Sequence, residues 1–427
     1  MTLARLIIIT AVVLILAYLL KVGFFSYAVY TLLGVLLASW AMARTALGHI
    51  RHQRICNKSH AQIGETVSVS TEVVNDKALP VIWALVEDTI PADLPKEGQN
   101  GRLAFLRPYE TLRLSYTLSL TRRGYHQIGP LVLESGDVFG LIRRFQTGAS
   151  AHYVTVYPKV VPITRYELFT RRPIGEVRVT QRLYEDPTRV AGLRDYRPGD
   201  PLRRIHWRAT AKTGRLHSKI YEPSTMIGAN IVLDFNEGAW EGSYAFYRTE
   251  LAVTAAASIA HYVSQQKQLV GIMSNGGDAA DRARRESEER QCSTREELRR
   301  LLEEWARTDR LRPVEVTPKK AGANLPEIME TLARLELRDG LTLAEMLQAE
   351  YIRLPRDAAL ILIVPTVPPR LLQAIARLKT TGFVVAVFVV LNHEEFPAIR
   401  ARLSEEGVAA FHIEREADLT VLALHTI

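Results

Sequence analysis

The chain has 427 residues, enough for two or three domains, and its 23% charged and 47% hydrophobic content is that of an ordinary globular protein. A net charge of +8 is a mild basic excess, short of what a dedicated nucleic-acid binder concentrates, so no nucleic acid partner is expected. Two cysteines far apart in sequence, Cys56 and Cys292, form neither a metal-ligand spacing nor a disulfide framework, which fits a reducing compartment.

Two apolar runs open the chain, Leu6 to Leu20 and Val22 to Ala43, the second with Tyr27, Tyr30 and Trp40 near its ends. The second reaches the roughly 20 residues a helix needs to cross a bilayer, and the first is a little short without its flanks. A cleaved signal peptide is the alternative for the first run, but it lacks a convincing small-residue cleavage site. The expectation is a two-helix transmembrane hairpin over residues 1–50, multi-pass in the lipid bilayer of the inner (cytoplasmic) membrane. Arg5 precedes the pair, Arg44, Arg51, Arg54 and Lys58 follow it, and Lys21 alone sits in the link. The positive-inside rule then places both outer flanks and the soluble domains in the cytoplasm. His49 and His52, in the exit segment, read as interfacial and not as ligands.

Residues 55–157 read as an all-β domain. Thr66 to Val73 alternates cleanly, Val81 to Glu87 loosely, and Leu112 to Leu120 sets five apolar side chains on one face. Short strands between Asn, Asp, Pro and Gly breaks, with no helical period, predict a small β-sandwich.

Residues 158–228 form a connecting segment and a basic signature. Arg189 to Tyr196 reads as extended, and Pro198-Gly199-Asp200 breaks it with turn chemistry. Asp200 is placed as an N-cap with Pro201 at the first helical position, so a helix is expected from Leu202 to Ala211. Thr213-Gly214 ends it, and Leu216 to Tyr221 alternates as a strand. Arg194, Arg197, Arg203, Arg204, Arg208, Lys212, Arg215 and Lys219 crowd this segment. That density suits an acidic partner, a phosphate or internal arginine–carboxylate forks, while a solvated basic face is the plain alternative. The turn should bring Arg197, Asp200, Arg203 and Arg204 together at the mouth of the helix. With His206, Trp207 and Arg215 they are the candidate binding residues.

From residue 229 to 427 the pattern becomes strand–helix alternation. Ala229 to Asp234, Leu269 to Met273, Ala358 to Val364 and Phe383 to Leu391 are buried-type strands. Helical periods run over Tyr247 to Gln265, Thr294 to Thr308, Leu325 to Leu337, Thr342 to Tyr351 and Arg370 to Lys379. Continuous apolar strands between amphipathic helices predict a parallel sheet covered on both faces. Asp278 to Gln291 reads as a charged, flexible insertion. The histidines are scattered, no HExxH or nucleophile elbow occurs, and Thr213-Gly214 and Gly276-Gly277 are too short for phosphate loops. Hence no catalytic residues and no cofactor are expected.

The signature closely resembles that of the bacterial domain of unknown function 58 family: an RPGD turn, a basic IDW-like helix and a TGRL strand. The matching residues are Tyr196-Arg197-Pro198-Gly199-Asp200, Arg203-Arg204-Ile205-His206-Trp207 and Thr213-Gly214-Arg215-Leu216. His206 stands where the family often has Asp. Arg122-Arg123-Gly124-Tyr125 and Gly136-Asp137-Val138-Phe139-Gly140-Leu141 resemble two further family segments, with Val138 in place of a Pro. The resemblance implies an α/β von Willebrand factor A-like domain, preceded here by the Ig-like sandwich and the hairpin.

That fold offers a cation position at the end of its first strand, with the pattern Asp-x-Ser-x-Ser. Here the strand ends in Asp234-Phe235-Asn236-Glu237-Gly238, and no acidic residue follows the later strand at Val364-Pro365-Thr366-Val367-Pro368-Pro369. A hard cation takes six or so oxygens, so Asp234 and Asn236 read as a degenerate site without metal. Family resemblance also implies partners: a MoxR-type AAA+ ATPase and sometimes a transglutaminase-like membrane protein. The expected function is a membrane-anchored, non-enzymatic scaffold or adaptor. The alternative is a metal-dependent hydrolytic enzyme at the membrane surface, using Asp234, Asn236 and Glu237.

Overall fold

The computed structural model describes residues 8, 11–12, 15, 23–148, 151–166, 185–197, 205–223, 228–242, 244–289, 312–319, 323–355 and 358–422. The chain divides into two compact units, Met1–Tyr157 and Pro158–Ile427.

The first unit begins with helix α1 (Gly23–Ala46). Among the described residues it is the one helix long and apolar enough to cross a membrane, over Tyr27–Ala46. Of the first apolar run only residues 8, 11, 12 and 15 are described, each helical, and the expected turn between the runs lies outside the described residues. Three residues, Leu47-Gly48-His49, lead from α1 into β1 (Ile50–Cys56). Lys77 ties down this exit by donating to the carbonyls of Thr45, Ala46 and Gly48, the last at 3.1 Å. A cation on the last carbonyls of a helix satisfies orphan acceptors and favours the dipole.

Ten further strands follow: β2 (His60–Gln62), β3 (Thr66–Asn75), β4 (Val81–Asp88), β5 (Lys96–Gly98), β6 (Gly101–Leu106), β7 (Thr111–Ser119), β8 (Gly124–Ile128), β9 (Leu131–Gly136), β10 (Arg143–Thr147) and β11 (His152–Tyr157). They form sheets in the orders β1-β3-β7-β5, β10-β9-β4-β6 and β2-β11-β8. All pairs are antiparallel except β2 with β11. Alternate residues of β3 and β7 are buried, so the period-two pattern turns Val67, Val69, Val73, Leu112, Leu114 and Leu118 inward. One apolar cluster joins Leu47 and Ile50 to Val73, Val86, Leu114 and Leu133. A second gathers Val67, Leu118, Ile128 and Val154.

In the second unit, residues following Tyr157 pack on the α/β core: Val161 and Ile163 are buried there, and the Val161 amide donates to Ser258 Oγ at 2.9 Å. The strands are β12 (Arg165–Tyr166), β13 (Glu185–Asp195), β14 (His217–Pro223), β15 (Gly228–Leu233), β16 (Leu269–Ser274), β17 (Gly277–Asp278), β18 (Val314–Lys319), β19 (Leu335–Glu336), β20 (Ala358–Val364), β21 (Val385–Val390), β22 (Ala409–Ile413) and β23 (Val421–Leu422). The helices are α2 (Trp207–Thr213), α3 (Ala245–Gln265), α4 (Ala279–Glu289), α5 (Leu325–Arg334), α6 (Leu343–Ala349), α7 (Pro369–Thr380) and α8 (Phe396–Glu405). The main sheet has the order β18-β16-β15-β20-β21-β22. Every residue of β15, β20 and β21 is buried, because apolar clusters lie on both faces.

Three expectations need correction. The sheet is not wholly parallel, since β18 runs antiparallel to β16 as an edge strand. Its side chains alternate only weakly between exposed and buried, so its sequence carries little strand signal. Residues 279–289 are no flexible insertion but helix α4. Ala279 and Ala283 bury one face of it, and Asp278 accepts from the Ala280 amide at its start. Leu325 to Leu337 is also not one helix: it stops at Arg334, and Leu335–Glu336 pairs with β17. The expected helix from Thr294 to Thr308 lies outside the described residues.

Candidate functional site

Strand β15 has β16 on one side and β20 on the other, and the chain crosses from β15 through α3 to β16 before returning to β20. The order therefore reverses at β15, and in an open α/β sheet the crevice outside the carboxyl ends at such a point is where ligands bind. Asp234-Phe235-Asn236-Glu237-Gly238 leaves β15 into this place.

The polar groups there are tied into a knot. Asn275, just past β16, donates Nδ2 to Asp234 Oδ1 at 2.9 Å and to the Leu341 carbonyl at 3.0 Å. Its Oδ1 accepts from the Phe235 amide at 2.6 Å. Asn236 donates Nδ2 to the carbonyls of Gly340 and Leu341, at 3.1 and 3.3 Å, and its Oδ1 accepts from the Gly238 amide at 3.0 Å. Both amides are oriented by their partners, with NH2 groups on acceptors and oxygens on N–H donors. Trp240 Nε1 donates to the Asp234 carbonyl at 2.9 Å and sets its ring edgewise on Phe235. Asn236 and Arg338 form a parallel bridge that closes the loop.

This donor set does not fit a hard cation. Asp234 Oδ1 faces an amide N–H, the Asn236 oxygen is spent on Gly238, and Gly238 has no side chain to ligate with. Among the described residues, no cluster of three or more His, Cys, Asp or Glu could hold a metal ion. Asp234 is 5% exposed, and burial pushes its carboxyl above the usual range, partly countered by the hydrogen bonds from Asn275 and the Asn236 amide. In the folded chain Asp234 thus keeps its proton where the unfolded chain has released it, so stability falls as pH rises through that window. Asp234→Asn should remove this slope from about pH 4 upward and be at least as stable as the parent at pH 7. Thermal melts across pH check it, and a variant that loses stability at neutral pH would show that the ionised carboxylate is needed.

Beside the knot lie two open pockets that share Arg248. One, of about 400 Å3, is lined by Tyr244, Tyr247, Asn392, Glu414 and Arg415 among others. The other, of about 320 Å3, has Trp240, Glu241, Thr366 and Glu395 in its wall. Tyr244, Phe246 and Tyr247 are exposed at the start of α3. Nothing in the sequence pattern singled out Asn275, Arg248, Tyr244 or Tyr247. Their signal is position at the carboxyl edge of the sheet, which is visible only once the strand order is known.

The basic signature folds as an antiparallel pair, β13 with β14, and α2 between them. The helix starts later than the expected Leu202: Ile205 is held in a bridge to Ser218, and His206 caps α2 by accepting the Ala209 amide at Nδ1, 3.0 Å away. Asp200, Arg203 and Arg204 lie outside the described residues, and with them the expected convergence at the turn. Arg197 and Arg215 are exposed, and Trp207 stands 67% exposed on α2. Gly214 ends α2 at φ 68°, a left-handed conformation that glycine adopts without strain.

Residues 192–364 match the model of the family described as protein of unknown function DUF58. The uncharacterized protein YeaD of Bacillus subtilis is 25% identical over 261 residues, a match covering 60% of this chain and 63% of that relative's length. Among solved structures, a von Willebrand factor type A protein from Catenulispora acidiphila is 12% identical over 48% of this chain and 42% of its own, with a TM-score of 0.27. The CARDB domain of a Pyrococcus furiosus protein is 15% identical over 25% of this chain and 91% of its own, with a TM-score of 0.20. Both scores are low, and the fold described above rests on strand order and register alone. The stretch similar to DUF58 thus takes in the basic hairpin, the polar knot and the sheet as far as the end of β20.

Proposed function

We propose that the chain is a membrane-anchored, non-enzymatic scaffold or adaptor whose α/β unit is a von Willebrand factor A-type domain without a metal. The observation that carries this reading is the knot at the switch point, where amide groups take up Asp234 Oδ1 and the Asn236 side-chain oxygen. Exposed beside it are Tyr244 and Tyr247, with the half-buried Arg248 in the same pocket wall. Aromatic and arginine side chains around a pocket are the residues that dominate protein–protein binding energy. The apolar N-terminus supplies the anchor, as a two-pass hairpin in the inner membrane with the soluble units in the cytoplasm. The resemblance of the signature suggests the partner, a MoxR-type AAA+ ATPase, with a transglutaminase-like membrane protein as a second member of the assembly.

The test is co-purification of the full chain from detergent-solubilised membranes, beside calorimetric titration with magnesium, manganese and calcium. The ATPase should come down with the parent chain, and Tyr244→Ala with Tyr247→Ala should lower its recovery about tenfold, as the loss of one to two kcal/mol at a binding hot spot does. The double variant should melt with the parent, because both side chains are exposed. A saturable heat with any of the three cations would turn the reading toward metal-dependent hydrolysis, and a chain that brings down no ATPase would remove the adaptor reading.

A further inference from the structure

A loop of the first unit, between β9 and β10, is fastened to the side of α1. Ser39 Oγ donates to Asp137 Oδ2 at 2.9 Å, and both residues are buried. Ser39, Ala43 and Ala46 make a helical stripe turned toward the β unit. Ser39 lies seven residues before the end of α1, about 10 Å up the helix axis. If α1 crosses the bilayer from Gly23, a hydrocarbon core of about 30 Å takes roughly 20 residues, so Ser39 lies within the core near its boundary. Trp40, with the Arg44 guanidinium 5.3 Å above its ring, marks that boundary as interfacial aromatics and snorkelling cations do.

The loop itself is built for such a place. The Asp137 carboxylate accepts from the amides of Phe139, Leu141 and Ile142 at 2.9, 3.3 and 2.6 Å. The Asp137 carbonyl accepts from Trp83 Nε1 at 3.0 Å, and the Ile142 carbonyl accepts from the Asp137 amide. The Asp137 side chain, amide and carbonyl and the amides of Phe139, Leu141 and Ile142 are thus satisfied within the protein, as polar groups near hydrocarbon must be. Its apolar side chains are turned outward, with Val138, Phe139 and Leu141 each 56% exposed. Arg143 and Arg144 follow at once on β10, both exposed.

We propose that Asp137–Ile142 is a lipid-facing wedge, which seats Val138, Phe139 and Leu141 in the acyl boundary of the bilayer beside α1 and sets Arg143 and Arg144 against anionic headgroups. This rests on the reading of α1 as a membrane helix. The three-residue exit from α1 and the Lys77 clamp hold the wedge at a fixed height.

The experiment uses the full chain in vesicles of phosphatidylglycerol and phosphatidylcholine, with Cys56 and Cys292 replaced by Ser. Single cysteines at Phe139→Cys, Leu141→Cys, Leu32→Cys and Gln62→Cys carry an environment-sensitive fluorophore, and the lipid is spin-labelled high on the acyl chain. Gln62 lies beyond the far end of β3, about 30 Å along that strand. Labels at 32, 139 and 141 should lose roughly half their emission or more to the lipid quencher, as groups seated 5–10 Å into the boundary do, and the label at 62 should keep its emission. Quenching at 32 with none at 139 or 141 overturns the wedge while leaving the anchor standing. Equal quenching at 62 and 139 overturns it as non-specific. No quenching at 32 overturns the membrane reading, and the wedge with it.

Discussion

Asp88→Ala should destabilise the first unit by about 3–5 kcal/mol, the cost of leaving one partner of a buried ion pair alone. The Asp88 side chain is fully buried and that of Arg54 is 4% exposed. Arg54 forks onto it, with Nε on Oδ2 at 2.9 Å and a second bond from Nη2 to Oδ1. Thr71 Oγ1 and Tyr116 Oη donate to the same carboxylate at 3.0 and 2.9 Å. The four side chains come from β1, β3, β4 and β7, so this one carboxylate ties both principal sheets of the sandwich. Burial, with the Asp88 charge beside it, pushes the Tyr116 phenol far above its usual range and keeps it a donor. A guanidinium cannot shed its charge, so removing Asp88 strands it. Tyr116→Phe removes one hydrogen bond to a charge and should cost about 1.5–3 kcal/mol. Urea unfolding of the three proteins checks both values, and a loss under about 1 kcal/mol for Asp88→Ala would mean that Arg54 finds water.

Asn275→Ala should destabilise the second unit by about 2–4 kcal/mol, since three groups, two of them buried, each lose a partner worth about 1–3 kcal/mol, and two of the three keep a second donor from Asn236. Those groups are Asp234 Oδ1, the Leu341 carbonyl and the Phe235 amide. The variant should also carry the fall of stability on to higher pH. Asn275 is the chief influence that lowers the Asp234 carboxyl against its burial, and without it the folded chain holds that proton to higher pH. Pairing Asn275→Ala with Asp234→Asn should abolish the pH slope without restoring all of the stability. A double variant that keeps the slope would assign it to another group.

What the sequence settled by itself is what its local periods encode. Alternation in Thr66 to Val73 and Leu112 to Leu120 is enough to make strands with one buried face, and both are strands. Ala358 to Val364, apolar throughout and too short for a typical helix, reads as a strand covered on both sides, and it is one. Thr342 with Glu345 announces its helix locally, and the capping box forms. Local chemistry ran out where a residue's partner is distant. The charged run after Asp278 is helical because Ala279 and Ala283 find a core to bury against, which its composition conceals. His206 caps α2 because Ile205 is drawn into a bridge with Ser218, overriding a start that Asp200 and Pro201 would favour. The fate of Asp234 was open from its neighbours, which retain part of a ligand pattern. It is decided by Asn275, 41 residues on, and by the Leu341 carbonyl, which only the strand order brings to the same edge. Ser39 and Asp137, 98 residues apart, meet for the same reason: backbone periodicity sets which side chains face inward, and only the packing of whole elements sets which of them meet.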